Sequence, residues 1–182
     1  MQRVAQFVFE AAFLKHIQRS GYQFLGAGRE SVAEHVYVTT MIAFVFSRLE
    51  PNADAQKLIT MCLVHDLPEA RMGDLNYVQK RYVEAHEAAA THDACHGLPF
   101  GDQIQALLTE FNAGQSLEAQ LARDADQLAL VVDLKSLKDL GYPSPQKWLP
   151  HVLDRLQTQT ARDLAAELMR TPQDEWWMRL FY

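Results

Sequence analysis

Leu58-Ile59-Thr60-Met61-Cys62-Leu63-Val64-His65-Asp66 is an apolar helical run that ends on an imidazole and a carboxyl side by side. Asp54 can cap its start, and Pro68 and Gly73 break the pattern after it. Thirty positions upstream, His35 shares a helical stripe with Val32, Val36, Thr39, Ala43 and Phe46, so it is expected to face inward. His65 and Asp66 lie about 100° apart around their helix. Both can therefore reach a cavity at the margin of its apolar face. A buried aspartate is costly unless it is paired or metal-bound. Histidine and carboxylate ligands suit one divalent transition metal (Mn²⁺, Fe²⁺, Co²⁺, Ni²⁺ or Zn²⁺) and fit poorly with a pure Ca²⁺ cage.

Working outward, helical periodicity dominates and strand alternation is hard to find. Helices are expected over about 4–17, from a Ser31/Glu34 capping box to about 49, from Asp54 through Asp66, and over about 81–95, 101–112, 117–140 and 145–169. Residues 20–30, with three glycines, read as a loop, and 68–79 as a turn-rich stretch. No repeat or low-complexity segment stands out. The expected architecture is all-α, a single domain over 1–182, with a core at about 10–140 and a C-terminal helix and aromatic tail at 145–182. The tail, Trp176-Trp-Met-Arg-Leu-Phe-Tyr182, is expected to dock on its own domain or on a second subunit.

At 182 residues the chain can bury a full hydrophobic core. Its formal charge of −6 argues against a surface that grips nucleic acid or anionic lipid by bulk electrostatics. A small anionic substrate is still compatible, because a bound cation reverses the local field. No apolar run approaches the roughly 18 residues of a membrane span, and the N-terminus lacks the features of a signal peptide. Cys62 and Cys95 belong to no C-x-x-C pair and are expected to stay reduced. A cytoplasmic setting is the expectation.

Three further groups bear on the site. Glu69 is four residues from His65 and three from Asp66, so it projects close to the same cavity if the helix persists, though a solvated last-turn glutamate has the same spacing. Asp74, after Gly73, suits a cap or turn. A fourth metal ligand has to come from elsewhere, and the run from Leu121 to Asp133 offers aspartates at 124, 126 and 133. Asp126 shares a stripe with Leu130, Leu134 and Leu137, and Asp124 with Leu128, Val131 and Lys135; periodicity leans to Asp126 without deciding. His92 and His96 have ligand spacing but no third partner, so with His86 they read as a solvated face. His16 reads as a surface residue.

The order His35, His65-Asp66, Asp126 resembles the H…HD…D signature of HD-domain metal-dependent phosphohydrolases. The local strings Arg29-Glu-Ser-Val-Ala-Glu-His35, His65-Asp-Leu-Pro-Glu-Ala-Arg-Met-Gly-Asp74 and Ala125-Asp-Gln-Leu128 are similar to its 5′-deoxynucleotidase branch. That resemblance implies an α-helical bundle, commonly a homodimer. It also implies His35, His65, Asp66 and Asp126 as metal ligands, Glu69 as the carboxylate that handles proton and water chemistry, Asp74 near the sugar or phosphate, and Arg19 on the 5′-phosphate. Relatives carry a tryptophan shortly after that arginine. Here the run is Arg19-Ser-Gly-Tyr22-Gln-Phe24, so Tyr22 or Phe24 is expected to supply any stacking surface. After Asp74 the bacterial relatives continue with prolines, where this chain has Leu75-Asn-Tyr-Val-Gln-Lys80.

The expected activity is hydrolysis of a nucleoside or deoxynucleoside 5′-monophosphate, a small phosphorylated partner rather than a nucleic acid. Alternatives are an HD-type hydrolase of a nucleoside triphosphate or other phosphoester, a metal-binding HD protein without turnover, and an all-α interaction module whose histidines coincide by chance.

Overall fold

Three helices with apolar faces pack pairwise to form the centre of the computed structural model, which describes residues 1–181. In chain order the helices are α1 (Gln2–Phe13), α2 (Tyr22–Leu25), α3 (Val32–Leu49), α4 (Ala55–Val64), α5 (Glu69–Met72), α6 (Glu87–Cys95), α7 (Gly101–Ala113), α8 (Leu117–Asp139), α9 (Pro145–Leu153), α10 (Gln159–Arg170) and α11 (Glu175–Met178). The central three are α3, α4 and α8; α9 and α10 lie along α8, and α7 lies against α4 and α8. Among the described residues there is no strand, only an isolated bridge between Gln18 and Ser31. The fold is all-α, as expected.

Local chemistry starts the central helices where the sequence indicates. Ser31 Oγ accepts the Glu34 amide at 3.3 Å while Glu34 Oε2 accepts the Ser31 amide at 2.6 Å, a closed capping box for α3. Asp54 Oδ1 accepts the Lys57 amide ahead of α4, and Ser116 Oγ accepts the Ala119 amide ahead of α8. Phe46, Leu58, Met61, Leu121, Leu128 and Leu134 are fully buried between these helices. Ala119, Ala122, Ala125 and Ala129 give α8 a small-residue face, which lets its neighbours approach closely. The same core takes in Leu149, Val152, Leu156, Ala161 and Ala165 from α9 and α10.

Several boundaries differ from the sequence reading. The first helix stops at Phe13 and tightens into a 3₁₀ turn, Leu14–His16. None of α1 is buried; Phe7 and Ala11 only brush a second core cluster around Leu67 and Leu108. Arg3 fastens this helix by donating to the His96 carbonyl at 2.8 Å and to the Ala94 carbonyl, at the end of α6. The expected loop at 20–30 contains the single turn α2.

The helix expected over 81–95 begins only at Glu87. Asn76 Oδ1 accepts the Val78 and Gln79 amides, closing a side-chain turn in place of helix, and Tyr82 and Val83 stay exposed with no core to pack on. The helix expected over 145–169 is two helices. Asp124 accepts the Gln157 and Thr158 amides at 2.8 Å each, and Thr158 Oγ caps α10 through the Ala161 amide. The α4 helix ends at Val64, so His65 and Asp66 sit in the turn after it. Pro68 then opens the separate turn of helix α5. Among the described residues the aromatic tail is largely exposed, Trp176 at 71 % and Phe181 at 73 %.

Candidate metal centre and substrate cleft

His65 sits where the end of α4 releases a carbonyl. Its Nδ1 lies 2.8 Å from the Cys62 oxygen. A carbonyl only accepts, so Nδ1 carries the hydrogen and Nε2 points the other way. Around Nε2 gather Asp66 Oδ2 at 3.2 Å and Asp126 Oδ1 at 4.0 Å. His35, fully buried on α3, brings its Nε2 to 2.9 Å from Asp126 Oδ1 and 3.7 Å from Asp66 Oδ2. Ligand atoms of His35, His65 and Asp126 all lie within 4.8 Å of one another, the one such group among the described residues. Asp66 reaches both histidines from the turn. The structure thus brings together the four residues that the sequence singled out.

This arrangement has the electrostatics of a cation site. His65 Nε2 and Asp66 Oδ2 are both buried without a hydrogen-bond partner, although they face each other. With Nδ1 holding the ring hydrogen, Nε2 and the carboxylate are two lone-pair groups that repel unless a proton or a metal cation lies between them. Burial depresses the His65 imidazolium, but Asp66 and Asp126 outweigh it and carry the group up to about 9. Burial likewise raises the two aspartates, yet the histidines and Arg19 hold both below the usual carboxylate range. Two imidazole nitrogens and two carboxylates, one nitrogen orphaned, fit a divalent transition metal.

Next to this cluster opens a cavity of about 570 Å³ lined by Arg19, His65, Asp66, Glu69, Asp74 and Asp126, among others. Arg19 Nη1 lies 3.7 Å from Asp66 Oδ2. Burial opposes its charge, but Asp66, Asp126, Asp74 and Glu69 keep the guanidinium firmly protonated. Its backbone is held from two sides: the Arg19 amide donates to the Glu30 carbonyl at 2.9 Å, and the Ser20 amide donates to Asp74 Oδ2 at 2.7 Å. Asp74 is aimed there by Gly73, whose φ of 74° is a left-handed value suited to glycine. Asp74 thereby braces the segment bearing the guanidinium. Glu69 reaches the cleft from its own short helix. Burial first, then Asp66 and Asp74, pushes its carboxyl up to about 9, and its Oε2 has no partner.

Other residues stand elsewhere than expected. The Tyr22 hydroxyl is engaged with Asp133 and lies 3.4 Å from Glu30, so the ring is tied into a buried network although it borders the cleft. Phe24 is 49 % exposed and does not line the cleft. Beside Tyr22, the aromatic lining comes from Tyr77, Phe111 and Trp148. Asp124 is fully buried and binds the backbone at 157–158, away from the histidines. His16, His86, His92 and His96 are exposed and outside the cleft.

Two supporting residues escaped the sequence reading. Glu30 Oε2 lies 3.8 Å from His35 Nδ1, behind the cluster, and Gln127 Nε2 donates to Asp126 Oδ2 at 3.0 Å. Carboxylates and amides at such positions orient metal-binding side chains. Both stand inside the strings that carry the family resemblance, so the signal lay beside the ligands.

Fold and site together define a metal-dependent helical hydrolase class, and the chain belongs to the HD domain family, whose model matches residues 11–168. It is similar to the 5′-deoxynucleotidase HDDC2 of Homo sapiens, 26 % identical over 143 residues that cover 75 % of this chain and 69 % of that protein. The Danio rerio protein of the same name is 27 % identical, covering 77 % and 72 %. Among solved structures, a conserved hypothetical protein from Pyrococcus furiosus superposes with a TM-score of 0.77 at 26 % identity, covering 92 % of this chain and 99 % of that one. A structure described as a predicted metal-dependent phosphohydrolase, from Magnetospirillum magnetotacticum MS-1, has a TM-score of 0.72 at 21 % identity, covering 93 % and 90 %, a likeness of fold. No helix among the described residues is long and apolar enough to cross a membrane.

Proposed function

We propose that this chain is a metal-dependent phosphomonoesterase that removes phosphate from nucleoside or deoxynucleoside 5′-monophosphates. The observation that carries the reading is the convergence of His35, His65, Asp66 and Asp126 beside a cleft that also holds Arg19 and Glu69. The relatives' name, 5′-deoxynucleotidase, supports the substrate class.

In this reading His35, His65, Asp66 and Asp126 hold one divalent transition metal, which when bound polarises a phosphoryl oxygen and acidifies water. Gln127 holds Asp126 by a hydrogen bond, and the Glu30 carboxylate stands 3.8 Å behind His35 Nδ1. Arg19 binds the phosphate oxygens and stabilises charge as it grows in the transition state. Glu69 orients the attacking water and passes a proton toward the leaving 5′-oxygen, a role that suits a carboxyl whose pKa burial has raised. Asp74 holds the Arg19–Ser20 segment and lies close enough to the cleft to meet the sugar or assist the leaving group.

The reading includes a single domain, since α9 and α10 share the core of α3, α4 and α8. It includes a homodimer, supported by an exposed apolar stripe on α3 of Tyr37, Met41, Phe44 and Val45. It also includes a cytoplasmic setting, supported by two unpaired cysteines, and no nucleic-acid partner, supported by the formal charge of −6.

The test is phosphate release from a panel of nucleotides and other phosphoesters by protein loaded with Mn²⁺ or Co²⁺. Deoxynucleoside 5′-monophosphates are expected to be hydrolysed, and Asp66→Ala to abolish this with the fold intact by circular dichroism. Preferred release from triphosphates, or undiminished activity in Asp66→Ala, would overturn the reading.

A further inference from the structure

The cleft has two kinds of lining: His65, Asp66, Asp126 and Arg19 supply ligand and charge chemistry, and Trp148 and Tyr77 supply aromatic surface. Trp148, half-buried on α9, meets Tyr77 with ring centroids 6.3 Å apart at 63°, an edge-on contact. Tyr77 projects from the segment that Asn76 locks into a turn, and Arg155 donates to its hydroxyl at 2.5 Å with the guanidinium 5.2 Å from the ring centroid. All three residues line the same cavity as Asp66 and Arg19.

We propose that Trp148, braced by Tyr77, is the surface on which this protein stacks the base of its substrate. The inference rests on the nucleotide reading above and identifies what selects a nucleotide over a bare sugar phosphate. Distance along the chain supports it. The Trp148 ring lies 3.8 Å from where a side chain on Gly21 would begin, and Gly21 is two residues from Arg19. Two peptide units span at most about 7.6 Å between Cα atoms. The Trp148 ring and the segment that carries Arg19 are therefore neighbours in the wall of one cavity.

The chemistry of the wall sets its selectivity. An aromatic face stacks on any base, because every base presents a π-face, and its contribution is sequence-tolerant. The rings arise from α9 and from residues 73–79, neither of which supplies a group to the metal cluster. Removing the indole therefore acts on binding of the base and leaves the phosphate chemistry untouched. A tryptophan that only packs between helices predicts something different: its loss would weaken every substrate alike.

The experiment compares deoxyadenosine 5′-monophosphate with 2-deoxyribose 5-phosphate on the Mn²⁺-loaded protein. Trp148→Ala should lower kcat/KM for the nucleotide by roughly ten- to a hundredfold, mainly through KM, and leave the sugar phosphate unchanged. Trp148→Phe should restore most of the loss, and Tyr77→Ala, a half-exposed position, should give a smaller effect of the same kind. Fluorescence supplies a readout independent of turnover. With Trp176→Phe and Trp177→Phe, Trp148 is the one tryptophan left of three. Its emission should be quenched saturably by the nucleotide in the first seconds after mixing, and not by the sugar phosphate. Equal losses on both compounds, or no quenching by the nucleotide, would overturn the proposal. Quenching without phosphate release would sink the hydrolase reading and leave the stacking wall standing.

Discussion

Asp124 and Asp126 lie two residues apart on α8 and bind opposite surroundings. Asp124 accepts the Gln157 and Thr158 amides and the Thr158 hydroxyl, all at 2.7–2.8 Å, whereas Asp126 Oδ1 meets His35 Nε2 at 2.9 Å. Two residues of an α-helix turn through about 200°, so one carboxylate looks to the α9–α10 junction and the other to the cleft.

Their substitutions should separate cleanly. Asp124→Ala leaves two backbone amides and a hydroxyl without a buried acceptor, and should cost about 2–4 kcal/mol of stability. Asp126→Ala should abolish stoichiometric metal and phosphate release with little loss of folding free energy relative to metal-free wild type. Chemical denaturation beside elemental analysis of the two proteins checks both outcomes.

Metal removal should be visible in stability as well as in turnover. A ligand present at 100 times its dissociation constant stabilises the folded state by about 2.7 kcal/mol. For a chain of this size that corresponds to roughly 5–10 °C in Tm. Chelated protein should melt lower by about that margin and recover on adding Mn²⁺ or Co²⁺. Asp66→Ala should show no such recovery, and differential scanning calorimetry reads the difference.

Arg19 and Asp74 should act on the same step by different routes. Arg19→Lys keeps the charge but loses the planar fork that grips a phosphate bidentately, so kcat/KM should fall by on the order of tenfold or more. Asp74→Ala releases the Ser20 amide, freeing the segment that carries the guanidinium. A rise in KM of several-fold, exceeding any fall in kcat, is expected from steady-state kinetics.

Acid should weaken the α4–α8 contact before it disturbs the core. Glu118 accepts the Asp54 amide at 2.9 Å and pairs with Lys57 at 3.0 Å. Burial raises its pKa, but those bonds prevail and hold it below the ordinary value. A depressed carboxyl pKa stabilises the fold above the unfolded value of roughly 4.3, and the contribution is lost as pH falls through the folded one. Glu118→Gln should therefore lower Tm at neutral pH, with the gap to wild type closing below about pH 4. Thermal melts of both proteins from pH 3 to 7 give the comparison.

The chain wrote its own helix starts and its inward histidines into local order. Ser31 with Glu34, and Asp54 ahead of Lys57, satisfy amides three residues away, so their chemistry needs no distant partner. His35 and the 58–64 run follow from periodicity for the same reason. Of the cation cluster, His35 and the His65-Asp66 pair were legible from such runs, whereas Asp126 was set apart from Asp124 only by the family resemblance. What periodicity reports is a face, never what stands across from it. Only packing between α8 and the 157–158 backbone made Asp124 a brace, broke the expected long C-terminal helix in two, and gave Asp126 to the cleft. Tyr22 borders the cleft as expected, but its hydroxyl is engaged by Asp133, 111 residues later, and the rings of Tyr77 and Trp148 come to line the same cleft from distant parts of the chain. Contacts at that separation depend on how whole helices dock, a three-dimensional outcome that no local pattern encodes.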